Sequence, residues 1–386
     1  MRLAFVDIYD ANSVRTWSGT PYHMYRSLVE SGEPVEPIFP LSRRFPASAI
    51  AKKLFFKATT KTYLVDNEPV MLRRYAAEVS RRLNGSRASV ILSRSSIPVS
   101  FLDSDKPFAF WTDATFAGMV GFYDEYSRLA PSSVANGHRY EKAALERCAV
   151  ALYSNDWAAR SAIENYGVSP EKVAVIPYGA NVDHSLTQAD VHEAVKARPT
   201  DRINLIFIGV DWHRKGGSIA LEAVNQLNES GVNAKLTIIG PKIPEGTILP
   251  ESVEYIPFLD KSVPEQRRCF EEKLLQSHFM ILPTRAECAA EVFSEAFSYG
   301  VPAVAPDVGG VSTLVSERSG VLLSANATAD DYANAIVALS EKPSDYMALA
   351  LSAFDEYHQR LNWTVATKAV ISRLREVSDA SLQTAA

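Results

Sequence analysis

Apolar and polar positions along the chain follow a repeating order: a short apolar run, a polar loop, then an amphipathic segment. The runs at residues 3–9, 89–94, 108–112, 150–153 and 173–176 are near-continuous and not alternating, as strands buried on both faces of a parallel sheet are. A second series starts at 203–208, broken only by Asn204, and continues at 235–239, 253–257, 279–282, 303–305 and 320–323. Helical patterns lie between them, at about 21–31, 141–147, from 157, up to 228, up to 275 and at about 289–299. Three more close the sequence at about 328–340, 344–360 and 363–377. Strand–helix alternation of this kind predicts parallel sheets joined by right-handed crossovers. Residues 184–201, HSLTQADVHEAVKARPTD, are polar and lack a sustained apolar run, so the expected linker falls there, between domains at 1–183 and 202–362.

A chain of 386 residues with 47% hydrophobic composition is large enough for two or three real cores. Its net charge of −5 gives no general case for nucleic-acid binding. No run is as long as a transmembrane helix, and residues 1–6 lead straight into a strand without a signal-peptide pattern, so a cytoplasmic protein is expected. Cys148, Cys269 and Cys288 are odd in number and far apart, which points to neither a disulfide framework nor a zinc site. Cys288 stands between carboxylates, which disfavour a thiolate nucleophile.

Candidate chemistry is densest at 278–311, HFMILPTRAECAAEVFSEAFSYGVPAVAPDVGGV. A strand stopping at Pro283, a polar loop, a helix and a Gly300–Pro302 turn make a β-loop-α-β unit. Open α/β sheets bind ligands at such strand ends, where a helix N-terminus offers N–H groups to an anion. Glu287, Glu291 and Glu295 are spaced four apart, so a helix running through all three would line them up and make them repel. Two readings stand for the trio. It is a solvated acidic face at a helix start, or a set of acceptors for the hydroxyls of a ribose or a sugar. Phe293, Ala296 and Phe297 beside Glu295 favour the second.

Glu287 and Glu295, followed by Gly300-Val301-Pro302 and Gly309-Gly310, resemble the E-x7-E signature of retaining GT-B glycosyltransferases of the family 4 type. Further likenesses are Gly209 with Arg214-Lys215-Gly216 after a strand, Ser154 at another strand end, and the run 175–181. The ordered set spans roughly 150–325. The resemblance implies an α/β, GT-B fold: two Rossmann-like doubly wound domains facing a central cleft, with the segment from about 363 to 386 crossing back onto the N-terminal, acceptor domain; by sequence alone that segment is equally a local cap on the second domain. It implies that Lys215 binds the donor diphosphate, assisted by Arg214 and Gly216. Glu295 then accepts from the ribose, Glu287 from the donor sugar, and Cys288, Ala289, Ala290 and Glu291 line the donor site. Gly19 and Thr20 border the cleft in this reading; by sequence alone, Ser18-Gly19-Thr20 is equally an ordinary strand-to-helix turn. Asp113, at the end of the 108–112 strand, is either a stabiliser of developing positive charge, as the resemblance implies, or the cap of the next helix.

Two departures stand out. Val210 occupies the place where the family carries an arginine, and Cys288-Ala289-Ala290 replaces a glycine-rich turn. The resemblance implies transfer of a hexosyl group, with retention, from a nucleoside-diphosphate sugar to a glycan or lipid-linked acceptor in bacterial-type polysaccharide or glycolipid assembly. Neither metal nor cofactor is expected, because Arg214 and Lys215 can neutralise the diphosphate. A catalytically silent sugar-nucleotide binder and a nucleotide-sugar epimerase are the other readings. There is no GxGxxG, which argues against a dinucleotide oxidoreductase.

One stretch lies outside this scheme. From Arg43 to Arg87 there are eleven cations, namely Arg43, Arg44, Lys52, Lys53, Lys57, Lys61, Arg73, Arg74, Arg81, Arg82 and Arg87, against Asp66, Glu68 and Glu78. Phe45, Leu54, Phe55 and Phe56 interleave with them. The pattern is that of a solvated basic face or of a peripheral contact with an anionic membrane.

Overall fold

The structure, a computed structural model, describes residues 1–183 and 185–384. Position 184, where the expected linker begins, and 385–386, at the end of the expected crossing-back segment, lie outside the described residues. The chain divides into two units, residues 1–177 with 363–386 and residues 178–362.

The first unit holds a six-stranded sheet of β1 (Leu3–Val6), β2 (Val35–Ile38), β3 (Val90–Ser93), β4 (Phe108–Thr112), β5 (Val150–Tyr153) and β6 (Val173–Val175), in the order β2-β1-β3-β4-β5-β6. Every pairing is parallel. β1, β3, β4 and β5 are buried along their whole length, which is why they read as unbroken apolar runs. β2, VEPI, gives no such run. It is the edge strand, where Pro37 is tolerated because one side of the strand makes no ladder. The helix Trp363–Thr384 belongs to this unit: Thr367 Oγ1 lies 2.6 Å from Ser27 Oγ, and the Trp363 ring packs at 5.7 Å against Trp111 of β4.

The second unit carries β7 (Ile203–Ile208), β8 (Ala234–Ile239), β9 (Val253–Ile256), β10 (Phe279–Ile281), β11 (Ala303–Pro306) and β12 (Gly320–Leu323). Their order, β12-β11-β10-β7-β8-β9, is parallel throughout. Counted from β7, this is the 3-2-1-4-5-6 order of the doubly wound fold. The crossovers run one way from β7 and the other way from β10, so these two neighbours flank the switch point.

Part of the segment expected as a linker is an ordered helix of this unit. Gln188–Lys196 starts at a capping box, in which the Thr187 hydroxyl accepts from Asp190 N–H and Asp190 accepts from Thr187 N–H. Val191 and Val195, one turn apart, bury against Ala350 and Phe354. Arg198 then donates to the carbonyls of Leu275, Tyr299 and Gly300. Two valines among polar residues make too narrow a stripe for hydrophobic periodicity to reveal.

Candidate functional site

Lys215 and Glu287 meet at the switch point of the second unit. After β7 the chain turns through 209–216 and enters the helix Gly217–Glu229. Asp211 Oδ1 accepts from Arg214 N–H at 2.9 Å, tightening the turn. After β10, residues 283–290 form an irregular loop before the helix Glu291–Phe297. Lys215 Nζ lies 2.5 Å from Glu287 Oε1, and the Arg214 guanidinium bonds the same oxygen and the Ala286 carbonyl. Thr284 Oγ1 donates to that carboxylate at 3.3 Å. Lys215 is 7% exposed and Glu287 5%, so charges that would cost several kcal/mol if buried singly are held buried as a paired set.

The glycines here serve packing. Gly216 has φ +78°, and a Cβ on it would fall 2.0 Å from the Pro283 carbonyl oxygen. On Gly217 a Cβ would fall 2.4 Å from the Trp212 ring. Their N–H groups are already used, by His213 O and Trp212 O respectively. Thus Gly216 lets the β7 loop and the β10 loop touch, and that contact brings Lys215 to Glu287.

The three glutamates do not share one helix face. The helix starts at Glu291, because Ala290 has non-helical backbone, and it ends before Gly300 with φ +63°. Glu287 is therefore a loop residue, and of the three only Glu291 and Glu295 stay one turn apart on the helix. Glu291 is half-buried in the first turn, whereas Glu295 is buried and accepts from Lys261 Nζ at 2.6 Å. Lys261 also donates to the Asn181 carbonyl. Sequence reasoning passed over Lys261, which follows β9 and lies 34 positions from its partner; only the strand order links them. Cys288 and Ala290 are buried and Ala289 is half-buried, so the side chains that replace the glycine-rich turn face largely into protein. Behind them, Gly310 N–H donates to the Glu287 carbonyl at 2.9 Å, fixing the Gly309-Gly310 turn against the loop. Val210, in the arginine position of the resemblance, is exposed. Among the described residues no cluster of three His, Cys, Asp or Glu could hold a metal ion.

The candidates of the first unit lie at its own strand ends. Asp113 is half-buried just past β4, and its carbonyl accepts from Asn155 Nδ2 at 2.8 Å. It does not cap the following helix. Thr115 does, its hydroxyl accepting from Gly118 N–H, and Asn155 caps the helix after β5. Ser154 is buried, its N–H donating to Thr112 O. Gly19, with φ +89°, follows Trp17 and Ser18, also at positive φ, and opens the helix Thr20–Glu30, in which Thr20 is buried.

Two doubly wound units in one chain constitute the GT-B architecture, and the second has the buried cation–carboxylate set just described. Over residues 202–342 the chain matches the family model described as Glycosyl transferases group 1. It is 28% identical over 222 residues to a D-inositol 3-phosphate glycosyltransferase of Streptomyces bingchenggensis, covering 54% of this chain and 48% of the relative. To its counterpart in Kribbella flavida it is 24% identical, covering 59% and 56%. The chain spans about half the length of the curated relatives it matches.

Solved structures extend the fold over nearly all of it. Sucrose-phosphate synthase from Thermosynechococcus elongatus superposes with a TM-score of 0.70 at 15% identity, covering 98% of this chain and 99% of that one. HepE of Anabaena, solved with UDP, does so at 0.62 and 16%, covering 97% and 100%. At such identities the likeness is one of fold.

Proposed function

We propose that the protein is a retaining glycosyltransferase that moves a hexosyl group from a nucleoside-diphosphate sugar to a glycan or lipid-linked acceptor in polysaccharide or glycolipid assembly. One observation carries the reading: two cations converge on one buried carboxylate at the switch point of a 3-2-1-4-5-6 sheet, inside the span that matches the group 1 model. In support, HepE, a protein of the same fold, was solved with UDP and with UDP-glucose.

In this reading the diphosphate takes over Lys215 and Arg214, which neutralise it as a divalent ion does elsewhere, so the proposal includes no metal. Glu287, relieved of its partners, accepts from hydroxyls of the donor sugar, and Glu295, oriented by Lys261, accepts from the ribose. The bond from the anomeric carbon to the diphosphate breaks while the acceptor oxygen bonds to the same face. The acceptor proton passes to the departing phosphate oxygen, so no protein nucleophile is needed. Asp113 is assigned to stabilising the positive charge that develops on the sugar.

Melting curves with UDP-, GDP-, ADP- and dTDP-sugars test the reading. A ligand at a hundred times its Kd stabilises by about 2.7 kcal/mol. One nucleotide class should raise Tm by several degrees, and Lys215→Ala should abolish the shift. Both Lys215→Ala and Glu287→Gln should lower transfer roughly a hundredfold, the scale of a lost preorganised contact. Wild-type turnover in both would remove the site assignment. Cys288-Ala289-Ala290 in place of a glycine-rich turn supports a second reading, a silent binder, which would show the shift with neither transfer nor hydrolysis. An epimerase would convert the donor without any acceptor.

A further inference from the structure

The helix Ala47–Ala58 of the first unit is nearly unpacked. Among its twelve residues Ala49 is the one buried side chain, and Phe56 holds the helix down by stacking on Tyr63 at 5.4 Å. The opposite side is apolar and in solvent: Leu54 and Phe55 are each 64% exposed and Ile50 is 47% exposed. At 100° per residue, Ile50, Leu54, Ala58, Ala51 and Phe55 cover one continuous arc, and Lys53 and Lys57, one turn apart, run along its edge. A soluble helix normally buries such an arc against its own core, and this one turns it outward.

Charge distinguishes the occupant. From Pro37 to Val65 there is no Asp or Glu. Three of the other eight cations of the 43–87 stretch are neutralised nearby, Arg43 by Asp66, Lys52 by Glu68 and Arg82 by Glu78. Lys53, Lys57 and Lys61 form no ion pair with the described residues. An apolar arc bordered by unneutralised lysines is the pattern of a helix lying in the plane of a bilayer. Its apolar side chains enter the acyl boundary and its lysines stay with the headgroups. A protein partner would require acidic groups set to match, whereas an anionic leaflet supplies them anywhere.

We propose that the helix Ala47–Ala58 docks the protein on anionic membranes, with Ile50, Leu54 and Phe55 inserted and Lys53, Lys57 and Lys61 on the headgroups. The wider basic stretch narrows to this one helix and the turn after it. Each lysine near an anionic surface is worth roughly fivefold in binding. The membrane face and the donor site lie in different units, and vesicle binding is read without any nucleotide, so either can fail alone.

The test is flotation of the full chain with phosphatidylcholine vesicles, with and without roughly one-third phosphatidylglycerol. Binding is expected to the anionic vesicles only, weakening as salt is raised. A Leu54→Ser, Phe55→Ser double variant should bind at least about tenfold more weakly with Tm unchanged, since both side chains are already in solvent. Lys53→Glu with Lys57→Glu should do the same. Absence of binding to anionic vesicles would overturn the proposal, as would binding untouched by both variants. A concentration-dependent dimer abolished by Leu54→Ser would also overturn it, by giving the face to a second copy of the chain.

Discussion

The two units repeat one device with different charge arithmetic. In the first, β1 and β3 flank the sheet's switch point, and there Asp7 and Arg94 pair at 2.5 Å, with exposures of 1% and 12%. Asp7 also accepts from Tyr9 N–H, and the Arg94 guanidinium lies over the rings of Tyr9 and Trp17. In the second, Glu287 at the corresponding place serves two cations. Counting the loops that leave the flanking strands, Asp7, Asp10, Arg15 and Arg94 balance, whereas Arg214, Lys215 and Arg285 outnumber Asp211 and Glu287. A switch point thus carries a closed ion pair in one unit and surplus positive charge in the other. A doubly wound sheet provides a place for a ligand, and the residues at the strand ends decide whether an anion is welcome there.

The largest expected effect separates the two pairs. Arg94→Met leaves Asp7 buried and uncompensated, a loss of about 3–5 kcal/mol in stability. Any nucleotide-induced rise in Tm should survive, because the second unit is untouched. Loss of that rise with the stability intact would reverse the comparison. Next is Gly216→Ala, which forces a side chain into positive φ and onto the Pro283 carbonyl. A cost of about 2–3 kcal/mol is expected in chemical denaturation, together with loss of the nucleotide response as the β7 and β10 loops separate. An unchanged response would show that loop contact does not set the Lys215–Glu287 geometry.

The smallest effect is in pH dependence, where the units should respond in opposite senses. In the first, burial pushes the Glu141 carboxyl up to about 7, against hydrogen bonds from Ser96 and the Phe116 N–H. A raised carboxyl pKa gives stability that is present below the unfolded value and is lost as pH rises through 7. In the second, burial, with Arg198 and Arg202 adding to it, lowers His278 to about 4. Its ring fits the neutral form, Nδ1 accepting from Asn204 N–H and Nε2 facing the Pro199 carbonyl. That stability is present above the unfolded pKa and is lost as pH falls through 4. Calorimetry from pH 5 to 8 should therefore show Glu141→Gln gaining about 1 kcal/mol at pH 8 and nothing at pH 5. Equal gains at both ends would mean that the carboxyl does not titrate in this window.

The parallel sheets were legible because strands such as 203–208 and 279–282 are buried on both faces and leave unbroken apolar runs. Edge strand β2 left none, and the helix Gln188–Lys196 left only Val191 and Val195. Lys215, Glu287 and Glu295 could be picked out by residue type and spacing. Their partnerships could not, because Lys215 with Glu287 and Lys261 with Glu295 follow from the strand order, which no local pattern encodes. The role of Gly216 was hidden for the same reason: the atom that needs its missing Cβ belongs to Pro283 on another strand's loop.

The helix Trp363–Thr384 completes a unit whose other residues end at Pro177. During vectorial synthesis the first 177 residues leave the ribosome without the helix that shields Trp111 and bonds Ser27. At 5–20 residues per second, residues 178–362 take about 10–40 s to follow. The nascent first unit therefore carries an uncovered apolar face for that interval, a ready target for a holdase. The second unit, continuous in sequence, can close as soon as its last strand and helices emerge.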